Sequence, residues 1–207
     1  MAKRIFRLFA ACALVFFSTC AHSASKTVLV LGDSLSAEYG IARGAGWTTL
    51  LEQRLKAEKI DAKIVNTSIS GETSSGGKAR LPSLLQQHRP AVVVIELGAN
   101  DGLRGLPLTS TEANLRTMIT ESQKAKAKVL LIGMQIPPNY GRHYTEKFSA
   151  LYGKLAQETQ AALVPFLLQD IADQPQLFQS DRIHPLAEAH PTMLNNIWPH
   201  LKPLLTK

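Results

Sequence analysis

The chain has 207 residues, of which 45% are hydrophobic and 19% are charged, and its formal net charge at pH 7 is +7. These values are ordinary for a folded globular domain and exclude a disordered or fibrous chain. The basic residues are scattered and never form a run interleaved with aromatic residues, so we expect no nucleic-acid partner.

The first 24 residues differ in composition from the rest of the chain. Lys3, Arg4 and Arg7 form a basic start, residues 8–17 are a nearly unbroken apolar run, and residues 18–24 are small and mildly polar. This pattern predicts a secretory signal peptide over residues 1–24, because the apolar run is too short to span a bilayer comfortably. Cleavage is expected after Ser23 or Ala24, which makes residues 25–207 the mature domain, periplasmic or secreted.

Removal of this segment would change both the charge and the thiol content of the chain. Three of the 23 basic residues would leave, so that 20 basic groups face 16 acidic ones, a formal charge of +4. Both cysteines, Cys12 and Cys20, also lie in the segment. The mature domain would then hold no disulfide and no thiol nucleophile. We expect a monomer that makes at most transient contact with a membrane surface.

Apolar runs alternate with helical patterns along the mature chain. The predicted strands are apolar runs that end at a glycine or a polar residue: residues 28–31, 62–68, 91–97, 128–134 and 163–168. The predicted helices carry apolar residues at helical spacing: residues 46–59, 78–87, 109–126, 143–160 and a C-terminal helix that Pro203 is expected to end. The alternation predicts an α/β fold, a three-layer α/β/α sandwich around a central parallel sheet of about five strands.

Polar residues follow the ends of these strands. Ser34 comes just after the first strand, Gly71 and Asn100 lie in the loops after the second and third, and Asp181 and His184 form the last polar cluster. Because the carboxyl ends of parallel strands share one edge of a sheet, these groups can converge. Taken alone, Ser34 and the preceding Asp33 are equally consistent with a helix cap. Asp33 and Asp101 are expected to brace their loops by accepting backbone N–H bonds.

These residue types fit nucleophilic catalysis. A serine hydroxyl needs a base, and His184 is the candidate for Ser34, with Asp181 three residues earlier to fix the imidazole tautomer. The N–H groups of Ser34 and Gly71 and the side-chain amide of Asn100 are candidate donors to an oxyanion, each worth about 3 kcal/mol of barrier. The pattern predicts a serine esterase that forms a covalent acyl-Ser34 intermediate.

Four sequence blocks carry a resemblance to a known family. The blocks Gly32-Asp33-Ser34-Leu35, Gly71, Gly98-Ala99-Asn100-Asp101 and Asp181-x-x-His184 resemble those of the SGNH (GDSL) hydrolases over essentially the whole mature chain. Longer stretches, such as residues 96–105 and 137–141, resemble the secreted bacterial multifunctional thioesterase, arylesterase and lysophospholipase group.

The resemblance implies a flavodoxin-like SGNH hydrolase fold without metal or cofactor. It also implies a catalytic triad of Ser34, Asp181 and His184, and an oxyanion hole formed by Ser34, Gly71 and Asn100. The implied substrates are small-molecule acyl esters, thioesters or lysophospholipids.

Two positions depart from the pattern of that group. Arg182 and Glu38 each stand where glycine is usual. Neither departure removes a catalytic group, but Arg182 places a cation beside Asp181, which would lower the activity or favour anionic substrates.

Apolar residues near the strand-end loops are expected to line the approach to Ser34 or to shield the core, and the family resemblance implies that they form an acyl-chain groove. These residues are Leu103, Leu106, Leu108, Ile136 and Pro137.

Two other functions stay open at this stage. Asp33, Asp101 and Asp181 with His184 superficially resemble the ligands of a metallophosphoesterase, although the ligands needed for two metals are too few. A catalytically silent lipid- or glycan-binding module is the other, against which the intact triad argues. An ordinary α/β-hydrolase is disfavoured, because the Ser34 segment lacks the second glycine of the G-x-S-x-G motif.

Overall fold

A single parallel sheet forms the centre of the protein, which a computed structural model describes over residues 25–206. The predicted signal peptide therefore lies outside the described residues. The five strands are β1 (Lys26–Gly32), β2 (Ala62–Asn66), β3 (Val92–Glu96), β4 (Lys128–Ile132) and β5 (Ala162–Val164). They lie in the order β2-β1-β3-β4-β5, and every pair is parallel. The predicted α/β fold is confirmed.

Helices cover both faces of this sheet. They are α1 (Trp47–Ala57), α2 (Ser74–His88), α3 (Ala99–Leu103), α4 (Leu108–Lys124), α5 (Arg142–Thr159) and α6 (His190–Thr206). Helix α1 packs against α6, whereas α4 packs against both α2 and α5. These two groups form the outer layers of the sandwich, because right-handed crossovers in the two directions along a sheet lie on opposite faces. Within residues 25–206, no helix is both long and apolar enough to cross a bilayer.

The core lies between these layers. Residues 28–31 of β1 and 92–95 of β3 are fully buried, as expected for apolar strands of a parallel sheet covered on both sides. On α1, Trp47, Leu51 and Leu55 recur at helical spacing and are buried as well. The apolar faces predicted from the sequence are therefore the faces that the fold buries.

The strand order places a crevice at the ends of β1 and β3. From β1 the chain moves outward to β2 on one side. It then crosses back over β1 to β3 and continues on that other side to β4 and β5. Such a reversal separates the loops that follow the two central strands and leaves room for a ligand between them. Ser34 and Asn100 lie just beyond these two strands.

Four elements depart from the sequence prediction by more than two residues. The strand predicted over residues 163–168 is β5, which ends at Val164 because Pro165 has no N–H to donate to the sheet. Helix α2 begins at Ser74 rather than residue 78, because the Thr73 side chain caps it by accepting a bond from the N–H of Gly76. The predicted loop after β3 contains the short helix α3. Pro203 does not end α6, which continues to Thr206.

The end of α6 has partners from the sheet. The Nζ atoms of Lys26 and Lys128 donate to the carbonyl oxygens of Leu205 and Leu204. These bonds satisfy carbonyl groups at the helix end that have no partner within the helix. Tertiary contacts thus support a helical turn that the proline alone would disfavour.

Candidate active site

Ser34, His184 and Asp181 form one continuous chain of hydrogen bonds. The Oγ atom of Ser34 lies 2.8 Å from Nε2 of His184, and Nδ1 of the same ring lies 2.7 Å from Oδ2 of Asp181. The residues come from the loop after β1 and from the segment before α6. The structure therefore brings Ser34 together with Asp181 and His184, from which the sequence separates it by about 150 residues.

The backbone around Asp181 orients its carboxylate. The other oxygen, Oδ1, accepts the N–H groups of Ile183 at 2.9 Å and of His184 at 3.0 Å. Partial burial alone would raise the pKa of Asp181, but the bonds from the His184 ring and from these two N–H groups lower it from 3.8 to about 2. Asp181 is thus ionised at neutral pH. Its carboxylate favours the His184 tautomer that carries the ring proton on Nδ1.

An aromatic ring covers one side of the histidine. The ring of Tyr39 lies 4.4 Å from that of His184, centroid to centroid. The Gln179 side chain donates to the carbonyl of Tyr39 at 2.9 Å, which links the loop after β1 to the segment that carries His184. Sequence reasoning missed this contact, because the two loops meet only in the folded chain.

The predicted oxyanion donors also converge. Among residues 25–206, no protein group accepts a bond from the backbone N–H of Ser34 or of Gly71. The Nδ2 atom of Asn100 donates to Oδ2 of Asp33 and to the carbonyl of Glu72, each at 3.0 Å. These bonds tie Asn100 to the neighbours of Ser34 and Gly71. Both amide protons of Asn100 already have an acceptor, so an oxyanion must compete for one of them.

Both glycines at this edge have a left-handed backbone. Gly71 has φ +78° and Gly98, which precedes α3, has φ +112°. A side chain is strained in this region. At Gly98 a Cβ would in addition overlap the hydroxyl of the buried Tyr152. Glycine thus allows the turn that presents Asn100 at the end of β3.

Asp33 and Asp101 brace loops, as predicted. Oδ1 of Asp33 accepts the N–H of Leu35 at 3.1 Å. Asp101 accepts the N–H of Ser74 at 2.8 Å, and bonds from the hydroxyls of Ser74 and Thr111 as well. Both carboxyl groups are buried.

A cavity of about 360 Å³ opens beside the triad. It begins at Leu35 and Ala99, which are the neighbours of Ser34 and Asn100, and extends toward the ends of β4 and β5. Its lining is largely apolar, with Arg182 as the charged member: Leu35, Ala99, Leu103, Met134, Gln135, Ile136, Pro137, Pro138, Phe166, Leu168, Ala172, Phe178, Arg182 and Ile183.

Three of the five predicted groove residues line this cavity, namely Leu103, Ile136 and Pro137. Leu106 does not; it is 37% exposed, and its carbonyl accepts a bond from the Tyr144 hydroxyl. Leu108 begins α4 and lines a separate groove between α4 and α5. The chain turns away from the cavity at Gly105, which has φ +63°.

The described residues offer no ligand set for a metal. Nowhere in residues 25–206 do three or more histidine, cysteine or acidic side chains converge in a way that could hold an ion. Asp33 and Asp101, which resemble metal ligands in the sequence, instead bond to loop backbone and to neighbouring polar side chains.

Comparison with known proteins places the chain in a family. The sequence profile of the GDSL-like Lipase/Acylhydrolase family matches residues 30–191, a span that contains every site residue discussed above. The chain belongs to this family.

Individual relatives of the GDSL-like hydrolase are similar over most of their length. It is 50% identical to Esterase TesA of Pseudomonas aeruginosa, over 89% of this chain and 92% of that protein. It is 44% identical to the Escherichia coli K12 protein named Thioesterase 1/protease 1/lysophospholipase L1, over 88% of this chain and 86% of that protein. Among solved structures, the psychrotrophic esterase EstA from Pseudoalteromonas sp., inhibited by monoethylphosphonate, has a TM-score of 0.83 at 42% identity, covering 88% of this chain and 100% of that one.

Both departures of the GDSL-like hydrolase from the usual glycine occur at left-handed backbone positions. Glu38 has φ +58° and Arg182 has φ +57°, which explains why glycine suits both positions. The Glu38 carboxylate bonds to the N–H groups of Gly44 and Gly46 and to the Thr49 hydroxyl. Burial alone would raise its pKa, but these bonds lower it below the ordinary value. Arg182 is exposed at the cavity.

Glu96 is a further residue of this site that sequence reasoning missed. It ends β3 and is fully buried, and its Oε2 atom accepts the N–H of Asp33 at 3.1 Å and the Ser36 hydroxyl at 2.6 Å. The available signal was its position as the single charged residue in the apolar run 91–97.

Proposed function

We propose that this GDSL-like hydrolase cleaves carboxylic ester and thioester bonds through a covalent acyl-Ser34 intermediate. The observation that supports this most directly is the uninterrupted chain of short contacts from Ser34 Oγ through His184 to Asp181. A neutral imidazole with its proton on Nδ1 leaves Nε2 free to accept the serine proton. No other group is needed to activate the nucleophile.

Acylation starts when His184 Nε2 takes the Ser34 proton and Oγ attacks the carbonyl carbon of the substrate. The negative charge that forms on the carbonyl oxygen is bound by the N–H groups of Ser34 and Gly71. Asn100 contributes a third donor. One of its amide protons is otherwise donated to the neutral carbonyl of Glu72, and a charged oxyanion is the stronger acceptor for that proton. The imidazolium then protonates the leaving alcohol or thiol.

Deacylation repeats these steps with water as the nucleophile. His184 accepts a proton from water, the hydroxide attacks the acyl carbon, and the proton is returned to Ser34 Oγ as the carboxylic acid leaves. Asp181 stays ionised throughout and stabilises the imidazolium, since its pKa of about 2 is far below neutral.

The cavity beside Ser34 suits an acyl chain. Its lining is largely apolar and joins the nucleophile at Leu35. A volume of about 360 Å³ is within the range of pockets that hold small organic ligands. The names of the relatives, esterase, thioesterase and lysophospholipase, cover the proposed substrate classes.

Hydrolysis of matched ester series tests this function. Wild type and Ser34→Ala are assayed on p-nitrophenyl esters and on acyl-thiol esters of increasing chain length, with chelator present throughout. We expect turnover by the wild type on both series, an optimum in chain length, and loss in the variant. Equal turnover by Ser34→Ala, or wild-type turnover that appears only when chelator is omitted, would contradict the serine mechanism.

We further propose that residues 1–24 direct export and that the mature domain is a monomer. The basic start and the apolar run of this segment support export. N-terminal sequencing of the protein recovered outside the cytoplasm tests the cleavage after Ser23 or Ala24, and light scattering of the purified domain tests its mass. A chain that keeps Met1, or a mass of two copies, would contradict these proposals.

A further inference from the structure

Two carboxyl groups that this mechanism does not use lie directly behind the nucleophile. The side chains of Asp33 and Glu96 are fully buried. Glu96 is the register partner of Gly32 across the β1–β3 pair, and a Cβ added to Gly32 would lie 2.6 Å from its Oε2. The Glu96 carboxyl therefore lies against the backbone two residues before Ser34, which requires glycine at position 32.

The pair holds the groups that flank the proposed oxyanion site. Glu96 Oε2 accepts the Asp33 N–H at 3.1 Å and the Ser36 hydroxyl at 2.6 Å. Asp33 accepts the Leu35 N–H at 3.1 Å and the Asn100 amide at 3.0 Å. Every residue that flanks Ser34 in this turn is thus fixed by one of the two carboxyls. The same pair fixes the Asn100 side chain.

Among residues 25–206, no lysine or arginine forms an ion pair with Asp33 or Glu96. The ion pairs formed by residues 25–206 all involve other carboxylates. Two adjacent buried carboxylates without a cation cannot both be ionised at moderate cost. One of the two groups must therefore hold a proton.

The bonding pattern decides which carboxyl holds the proton. Burial raises the pKa of Asp33 to about 6, although the Leu35 N–H and the Asn100 amide donate to its two oxygens and partly offset this rise. Burial and the charge of Asp33 raise the pKa of Glu96 well above its ordinary value. Glu96 Oε1 accepts no bond from a described protein group. The Glu96 carboxyl lies within hydrogen-bond reach of the Asp33 carboxyl, and this contact lowers the pKa of Asp33 and raises that of Glu96, so Glu96 is the group that donates a proton in it.

We propose that Glu96 is a positioning residue that holds a proton at neutral pH, and that the singly charged Asp33–Glu96 pair sets the Ser34 N–H and the Asn100 amide for oxyanion binding. This inference rests on the roles proposed for Ser34 and Asn100. Loss of the Glu96 proton would place a second negative charge beside the forming oxyanion. We therefore expect kcat to fall at alkaline pH.

Three other titratable groups face the pair from neighbouring elements. His184 acts on Asp33 from the segment before α6. Tyr152, from α5, donates to the Leu97 carbonyl, and burial, followed by the nearby carboxyls of the acidic residues, raises its pKa well above the ordinary value. Asp101, from α3, is held by Ser74 and Thr111. None of these groups donates a proton to Glu96 Oε1.

Two substitutions at Glu96 test whether the site needs an uncharged, hydrogen-bonding side chain at this position. In Glu96→Gln the amide keeps an acceptor for Asp33 and Ser36 and supplies N–H where the acid has O–H. We expect the kcat of Glu96→Gln at pH 7 to lie within about threefold of wild type. We also expect this variant to lack the decrease in kcat at alkaline pH that loss of the Glu96 proton causes in wild type. Glu96→Leu lacks both functions, and we expect kcat to fall tenfold or more with KM within about twofold, because losing one oxyanion donor costs roughly 100-fold.

Infrared spectroscopy measures the proton itself. In the Ser34→Ala background at pH 7, we expect a protonated-carboxyl band that disappears in Glu96→Gln. The band persists in the control Glu38→Gln, because bonds from backbone N–H groups and Thr49 hold Glu38 ionised. The band is measured without turnover, so its absence overturns this inference whether or not Ser34 is the nucleophile. Equal kcat losses in Glu96→Gln and Glu96→Leu would also overturn it. If Glu96→Leu does not fold, the band and the pH profile of Glu96→Gln decide.

Discussion

Replacement of Asp181 by asparagine tests whether its carboxylate sets the imidazole tautomer. Oδ1 accepts two backbone N–H groups at 2.9 and 3.0 Å, while Oδ2 faces His184 Nδ1 at 2.7 Å. In Asp181→Asn the amide oxygen must keep the Oδ1 position, because the NH₂ group would face two N–H donors there. The NH₂ group then donates to Nδ1 and leaves the ring proton on Nε2, pointing at Ser34. That tautomer cannot accept the serine proton.

The exposure of the pair limits the size of the effect. The same substitution in serine proteases lowers kcat about 10⁴-fold. Here the Asp181 side chain is 39% exposed and that of His184 18% exposed, so water can compete for the ring and partly restore the productive tautomer. We therefore expect kcat to fall between about 100-fold and 10⁴-fold. KM should change little, because Asp181 does not line the cavity.

Steady-state kinetics on a p-nitrophenyl ester measures this loss, and ¹⁵N NMR of His184 reports which nitrogen carries the proton. Asp173→Asn, which removes an exposed carboxylate from the segment between β5 and His184, serves as the matched control and should keep wild-type kcat. A kcat for Asp181→Asn within fivefold of wild type, or a proton retained on Nδ1, would refute the reasoning.

Three further predictions concern backbone strain and acid stability. Gly98→Ala adds a Cβ that overlaps the buried Tyr152 hydroxyl at φ +112°, so urea denaturation should show a loss of about 3 kcal/mol, partly recovered with Tyr152→Phe. Gly71→Ala meets only Arg104 Nη2 at 3.6 Å and should lose about 1–2 kcal/mol; equal losses would contradict this ranking. Glu38→Gly gives up three hydrogen bonds, so its free energy of unfolding should fall by about 1–3 kcal/mol. In Arg182→Gly this free energy should stay within about 1 kcal/mol of wild type, because relief of backbone strain offsets the entropy cost of glycine. A larger loss in Arg182→Gly than in Glu38→Gly would refute this assignment. The pKa of Asp181 is lowered from 3.8 to about 2. The Asp181 carboxylate therefore stabilises the folded protein above pH 4, and this contribution is lost as pH falls toward 2. A difference in unfolding free energy between wild type and Asp181→Asn that stays constant over this window would contradict the prediction.

The features that the sequence predicted well depend on local patterns. Apolar runs such as residues 92–95 are recognisable because a strand buried on both faces needs them, and parallel strand ends must share an edge. That geometry was enough to expect Ser34, Asn100 and His184 near one another before any distance was known. Gly71 was a candidate only for its place in a strand-end loop, because its backbone role leaves no side-chain signal, and the family resemblance supported that choice.

The features that the sequence did not predict depend on chain direction and on long-range contacts. Leu106 and Leu108 have the same apolar character as Leu103, but the turn at Gly105 directs them away from the cavity. The partners of Asn100 come from loops 28 and 67 residues away in sequence. Glu96 reads as an interruption of an apolar strand, and its contacts with Asp33 and Ser36 follow only from the register of β1 against β3.

The most direct test of the central claim is titration of the active protein with an ethylphosphonate ester, followed by intact-mass measurement and peptide mapping. The mechanism predicts one phosphonyl group per chain, located on Ser34, with activity lost in proportion to labelling and no label on Ser34→Ala. Label on another residue at full inactivation, or a fully labelled Ser34 with activity retained, would contradict the assignment of Ser34 as the nucleophile.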